Sequence, residues 1–242
     1  MRKKVEALKL FTRKLLSGRA GDKVAKVILF GSLAEGEATE ESDIDVLVFS
    51  LDGRESLRNA CAEVAFEVAM ETGEGIEALV YPLREYFSPS TYFLYRASRR
   101  GKEVFSMDER ELKRREVEGS RSLAESYLTG AERALAAGDL RIAVDAAYNA
   151  AELCVKGLLL LKIDQLPGSH GGLVGRFGEL YIKDGSLPRD LGRRLNRALE
   201  LRADARYNYA AQVTEDMAQE AIELAKELLG YLDQALADLP GP

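Results

Sequence analysis

The chain has 242 residues, 46% of them apolar and 31% charged, enough for one large domain or two of about 120 each and unlike a disordered chain. Its 34 basic and 40 acidic residues leave a net charge of −6, which argues against a protein that coats nucleic acid non-specifically. The longest purely apolar runs, Leu158 to Leu161 among them, are far short of the roughly 20 residues of a membrane span, and the start MRKKVEALKLFTRKLL has no continuous apolar stretch of the signal-peptide kind.

Residues 3–17 carry Val5, Leu8, Phe11, Leu15 and Leu16 near one face of a helix. A Gly-rich break leads to VAKVILF (24–30), short and β-branched enough for a buried strand. Gly31-Ser32 and an acidic loop precede a second strand, IDVLVF (44–49). Residues 54–72 space Leu57, Cys61, Val64, Phe66, Val68 and Ala69 as a helix, ended by Gly73 and Gly75, and IEALVY (76–81) reads as a third strand stopped by Pro82. Strands end after about residue 106, and 106–119 is polar enough for a hinge or a helix start. Helices are predicted over 109–137, 139–163, 173–183, 188–208 and 214–237, the last with Thr214 as N-cap. Leu140, Val144, Ala147, Ala151, Cys154, Leu158 and Leu161 step by four and three, which makes their helix central to a bundle. The expected architecture is an α/β domain over 1–108 and an all-α bundle over 109–242. Cys61 and Cys154 fall in apolar helical segments, so reduced core thiols in a cytoplasmic protein are expected. With no CxxC and one histidine, a Cys/His zinc site is nearly excluded.

Between Glu35 and Asp45 lie six acidic residues and no basic one. Two of them, Asp43 and Asp45, are spaced i, i+2 and project to one face of a strand. Carboxylates that close repel by about 1 kcal/mol in water at 4 Å, and by about 4 at an effective dielectric of 20. A hard divalent cation offsets that cost, and oxygen ligands favour Mg²⁺ or Mn²⁺. The alternative is a strand-entry loop with solvated acids, the reading expected of Glu35, Glu37, Glu40 and Glu41. Gly31 permits close backbone approach and Ser32 offers a hydroxyl, a combination suited to phosphate.

Taken together, FGSLAEGEATEESDIDVLVF has the pattern G-S-x10-D-x-D and resembles the minimal nucleotidyltransferases of the DNA polymerase beta superfamily. The resemblance implies that Gly31, Ser32 and Ser42 lie on the nucleotide side, and that Asp43, Asp45 and a third carboxylate bind two Mg²⁺ or Mn²⁺ ions. Glu77 in IEALVY is the positional match for that third carboxylate, in place of the commoner aspartate; otherwise it is an exposed strand residue. Family members often carry an arginine near Leu33 or Glu35, and this chain has none there. The activity implied is two-metal transfer of a nucleotide, AMP from ATP being the expected case, to a protein or small-molecule hydroxyl.

The helical half, with RIAVDAAYNAAELCVKGLLLL, a loop bearing His170 and then ELRADARYNYA, resembles HEPN domains. These helical bundles often dimerise and accompany nucleotidyltransferases in toxin–antitoxin pairs, so a homodimer is implied. HEPN ribonucleases use an arginine and a histidine; here Arg202 is followed at that spacing by Tyr207, then Tyr209. Tyrosine, with its pKa near 10, is a poor base at pH 7, so ribonuclease activity is not expected. His170 reads as a helix-start residue. By resemblance Tyr209 is a candidate acceptor of AMP, against the alternative of a tyrosine packed in the bundle. Arg189, Arg193 and Arg197, with Arg202 and Arg206, form a basic stripe for RNA or nucleotide phosphate, or for salt bridges with acidic helices. Two other functions fit the same features: a nucleotide- or RNA-binding regulatory module with a vestigial transferase, and an aminoglycoside nucleotidyltransferase.

Overall fold

The computed structural model describes residues 1–52 and 54–239. The chain divides into two compact units, Met1–Leu112 and Lys113–Pro242.

In the first unit, α1 (Arg2–Ser17), β1 (Val24–Phe30), α2 (Gly31–Glu35), β2 (Ile44–Ser50), α3 (Arg54–Thr72) and β3 (Ile76–Pro82) follow in order. The sheet order is β3-β2-β1-β4, with β4 at Lys102–Ser106. β1 is antiparallel to both β2 and β4, whereas β2 and β3 are parallel and α3 supplies the crossover they need. Ile44, Val46 and Val48 of β2 and Val80 of β3 point into one core with Phe11, Leu15, Leu57, Cys61 and Val68. Each such buried side chain contributes roughly 1.5–3 kcal/mol relative to exposure. Strand alternation then sends Asp45 and Glu77 to the opposite face of the sheet.

Two expected core positions lie outside. Val5 is exposed, because α1 buries the face carrying Lys4, Ala7, Leu8, Phe11, Thr12 and Leu15. Phe66 is exposed because the buried stripe of α3 runs Leu57, Cys61, Val68, and Phe66 lies off it. Residues 84–106 fold into α4 (Arg84–Phe87), α5 (Tyr92–Arg100) and β4, none of which the apolar patterning announces. β4 is a short edge strand with charged Lys102 and Glu103, the usual protection of a sheet edge, and that is what conceals it in the sequence.

The second unit is helical: α6 (Glu109–Ala136, within which the boundary between the units falls), α7 (Leu140–Leu160), α8 (His170–Phe177), a π-helical turn over 178–182, α9 (Arg189–Tyr207) and α10 (Glu215–Ala237). Most of α7 is buried, including Val144, Ala147, Ala151, Cys154 and Leu158 of the four/three seam. Gly157 lets it approach Leu232 of α10, where a methyl group would stand 2.9 Å from a leucine carbon. Thr214 caps α10 by accepting from the Met217 N–H at 3.3 Å. Both cysteines are buried and unpaired, and burial pushes each thiol up to about 12. Among the described residues no helix is long and apolar enough to cross a membrane.

Candidate active site

β1 delivers the chain to Gly31, whose φ of +70° favours glycine. A methyl group at this position would collide with the Asp45 carboxylate, so Gly31 is what allows that carboxylate to lie against the turn. Asp45 is the register partner of Phe30 on one side and of Glu77 on the other. Gly75 plays the corresponding part for Asp43, whose carboxylate occupies the space a side chain would fill. The Ile44 N–H donates to the Gly75 carbonyl at 3.0 Å, which joins the entries of β2 and β3.

These contacts place Gly31, Asp43, Asp45 and Glu77 in one neighbourhood. The Asp45 carboxyl is raised above its ordinary range by burial first, then by the negative charges of Glu77 and Asp43. The residues expected to form the metal centre are therefore electrostatic neighbours. They are not gathered into a finished cluster: among the described residues, no three carboxylate, histidine or cysteine groups converge as a metal-holding set. Asp45 rests against Gly31 and Asp43 against Gly75, and mutual repulsion opposes closer approach.

Ser42 is engaged in its own loop. Its Oγ accepts from the Thr39 N–H at 2.9 Å, and its carbonyl accepts from Lys4 Nζ at 2.6 Å. Glu35, Glu37, Glu40 and Glu41 are all exposed. Lys4, absent from the sequence-derived site, is a positioning residue. Its buried ammonium also donates to the Glu40 carbonyl at 3.0 Å and to Glu74 Oε2 at 2.6 Å, tying the acidic loop to α1 and to the approach to β3. The signal was its place on the Leu8–Phe11–Leu15 face of α1.

In the second unit, Arg202 is buried, with Nε donating to Asp145 Oδ1 at 3.2 Å and its guanidinium 5.7 Å from the Tyr148 ring centre. The Tyr148 hydroxyl donates to Glu152 Oε2 at 2.9 Å, and Lys156 pairs with Glu152 Oε1 at 2.9 Å. His170, the first residue of α8, bonds to the same carboxylate through Nδ1. Arg193, Arg197 and Arg206 of the basic stripe have acidic partners in Asp190, Glu220 and Asp145 at 3.1, 3.9 and 3.6 Å. Tyr207 and Tyr209 face outward, 72% and 97% exposed, so Tyr209 is not packed in the bundle of its own unit. Arg141 holds the turn that presents it, donating to the carbonyls of Ala205 (2.9 Å), Asn208 (3.0 Å) and Ala211 (2.5 Å).

The family model for the nucleotidyltransferase domain matches residues 11–93, and that for the HEPN domain matches residues 117–235. The chain belongs to these families as a nucleotidyltransferase domain followed by a HEPN domain. A relative from Methanocaldococcus jannaschii, named "Putative protein adenylyltransferase", is 51% identical over 43 residues, which are 18% of this chain and 42% of that protein. The match thus spans less than half of that relative's length. The solved structure of spectinomycin adenyltransferase AAD(9) from Enterococcus faecialis with ATP and spectinomycin aligns over 94% of this chain and 99% of its own, at 14% identity and a TM-score of 0.29. At that score the likeness supports no inference about this chain.

Proposed function

We propose that the protein transfers a nucleotide, AMP from ATP, to a hydroxyl acceptor. The observation that carries this reading is the register of Asp45 with Glu77 on one sheet face, backed by Gly31, inside a nucleotidyltransferase domain. The printed name of the archaeal relative supports adenylyl as the group transferred.

Hard oxygen donors with uncompensated mutual charge suit Mg²⁺ or Mn²⁺, and Asp43, Asp45 and Glu77 are the residues that would hold the ions. Bound there, the ions supply neutralisation of phosphate charge and acidification of the acceptor hydroxyl. The chain's own contribution is positional. Gly31 lets the Asp45 carboxylate lie against the turn, Ser32 and Ser42 are the residues that would meet the nucleotide, and Lys4 holds the loop that carries Asp43. In the reaction, the acceptor oxygen forms a bond to the α-phosphorus and the bond from that phosphorus to the bridging oxygen breaks. Pyrophosphate leaves with that oxygen, and the hydroxyl proton passes to solvent.

Tyr209 is the proposed protein acceptor, in the same chain or in a second copy, within a toxin–antitoxin-like arrangement. Its full exposure on a turn braced by Arg141 supports this role. Tyr207 in the place of a histidine, together with Arg202 committed to Asp145, supports a HEPN unit without ribonuclease activity. Mg²⁺-dependent release of pyrophosphate from ATP is the test, with the Asp43→Asn, Asp45→Asn double variant as control. Release by the natural chain and its loss in the variant are expected; equal release by both overturns the reading.

A further inference from the structure

β3 is an edge strand of the sheet, and its outer side opens onto a groove of about 440 Å³, lined by Arg54, Arg58, Ala62 and Ala65 of α3 and by Glu77 and its neighbours in β3. We propose that this groove receives the acceptor as an extended stretch of polypeptide, added to the sheet beside β3, with a hydroxyl side chain facing Glu77 and a carboxylate facing Arg54 and Arg58. The proposal rests on the transferase reading above and names the class of acceptor and the way it docks.

The Gly75 carbonyl accepts from the Ile44 N–H at 3.0 Å, and the Tyr81 carbonyl accepts from Ser50 Oγ at 3.3 Å, so the odd-numbered residues of this stretch turn their peptide groups towards β2. The period of two then turns those of Ile76, Ala78 and Val80 outward. Arg54 Nε donates to the Val80 carbonyl at 3.0 Å and closes the row at that end. Among the described residues nothing pairs with the outward groups of Ile76 and Ala78. An open row of alternating N–H and C=O groups is a template for a further strand. The other edge of the sheet is guarded: β4 has five residues and begins on Lys102 and Glu103. β3 has seven, IEALVYP, with Glu77 as its one charge, and so lacks that protection.

The two faces of an added strand meet different chemistry. Val80 points into the core that α3 covers, and Glu77 stands on the opposite face with Asp45. Neighbouring strands lie about 5 Å apart, so a residue paired with Glu77 brings its hydroxyl to the carboxylate site. Residues at odd spacing from it project towards α3. There Arg54 is held by the Val80 carbonyl and by the Tyr81 ring, whose centre is 5.7 Å from the guanidinium, and its terminal nitrogens are left for a ligand. Arg54 and Arg58 are both exposed, and among the described residues neither has an acidic partner. A guanidinium fixed in this way suits a carboxylate, which it can bind through two hydrogen bonds. A nucleic acid would satisfy the arginines, but its sugar–phosphate backbone has no row of N–H donors for the carbonyls of Ile76 and Ala78. β3 of a second copy would match the backbone, but its one acid, Glu77, lies on the face away from the arginines. An acidic stretch of polypeptide satisfies both.

The test uses the full chain with ATP and Mg²⁺ and a labelled peptide of alternating threonine and valine, bearing a tyrosine and, on the other face of the strand, a glutamate. Fluorescence anisotropy reads its binding, and mass spectrometry reads AMP on its tyrosine; both are expected. An added strand uses one of its edges and leaves the other free. Of two forms of the peptide, each N-methylated along one edge, one should therefore bind as the parent does and the other about tenfold more weakly or worse, from the loss of strand hydrogen bonds. Ala78→Pro removes an outward N–H and no bond to β2, and should raise the KM for the peptide about fivefold or more with that for ATP unchanged. Arg58→Glu should weaken the glutamate peptide and strengthen one with lysine in its place. An unchanged melting curve verifies the fold of each variant, and the methylated peptides decide the matter without any variant. Failure of the peptide to bind, equal binding of the two methylated forms, or transfer to N-acetyltyrosine amide as efficient as to the peptide overturns the proposal. The transferase reading survives each of these if pyrophosphate release still depends on Asp43 and Asp45; without that dependence both fall.

Discussion

Lys4 Nζ donates to Glu74 Oε2 at 2.6 Å, an ion pair between residues 70 positions apart whose side chains are 4% and 15% exposed. The same ammonium satisfies the Glu40 and Ser42 carbonyls, so one buried cation fixes the segment leading to Asp43. Removing one member of a buried pair leaves the other charge uncompensated, at a cost of about 3–5 kcal/mol. Lys4→Met is therefore expected to lower unfolding free energy by about that amount, measured by denaturant titration. A change below about 1 kcal/mol would show that water replaces the lysine.

Gly31→Ala combines a positive φ with a methyl group directed at the Asp45 carboxylate. The backbone term alone is about 1–3 kcal/mol. The carboxylate must also move, so pyrophosphate release should fall by far more than stability does. Retention of natural release rates with the expected loss of stability would separate Gly31 from the chemistry.

Glu152 contributes an acid-sensitive element to the helical unit. Burial pushes its carboxyl upward, but the His170 hydrogen bond and Lys156 more than offset this and hold it below the usual 4.5. Its contribution to stability is thus fully present above the unfolded value and is lost as the pH falls through the lower folded value. Denaturant midpoints between pH 7 and pH 3 should show this loss, and Glu152→Gln should begin lower at pH 7, by about 1.5–3 kcal/mol, with a flatter acid limb. Parallel pH profiles would remove Glu152 from the account.

Incubation with ATP and Mg²⁺ should add one or more AMP units to the intact mass, and Tyr209→Phe should abolish the addition. With its side chain 97% exposed, the substitution should leave the melting temperature within about 1–2 °C of the natural chain. An adduct that persists in Tyr209→Phe assigns the acceptor elsewhere.

Local patterning determined much of this protein. The short apolar strand runs, the G-S-x10-D-x-D spacing and the four/three seam of α7 all report interactions between residues close in sequence or repeated along one element. They were enough to reach the α/β-then-helical architecture and to single out Asp43 and Asp45, whereas Glu77 came only from the resemblance to nucleotidyltransferases. Pairing across the sheet was beyond them. Only the tertiary structure decided that Asp45 stands beside Glu77 in parallel register, because that depends on the α3 crossover. It alone placed Lys4 beneath a loop 36 residues away, since a buried lysine on an apolar face has no local signature of its partner. It turned Tyr209 outward through Arg141, and it packed Phe93 of α5 against Phe30, the register partner of Asp45. α5 and β4 stay hidden in the sequence because α5 is nine residues long with only Leu94 and Ala97 buried, and β4 is a five-residue charged edge strand.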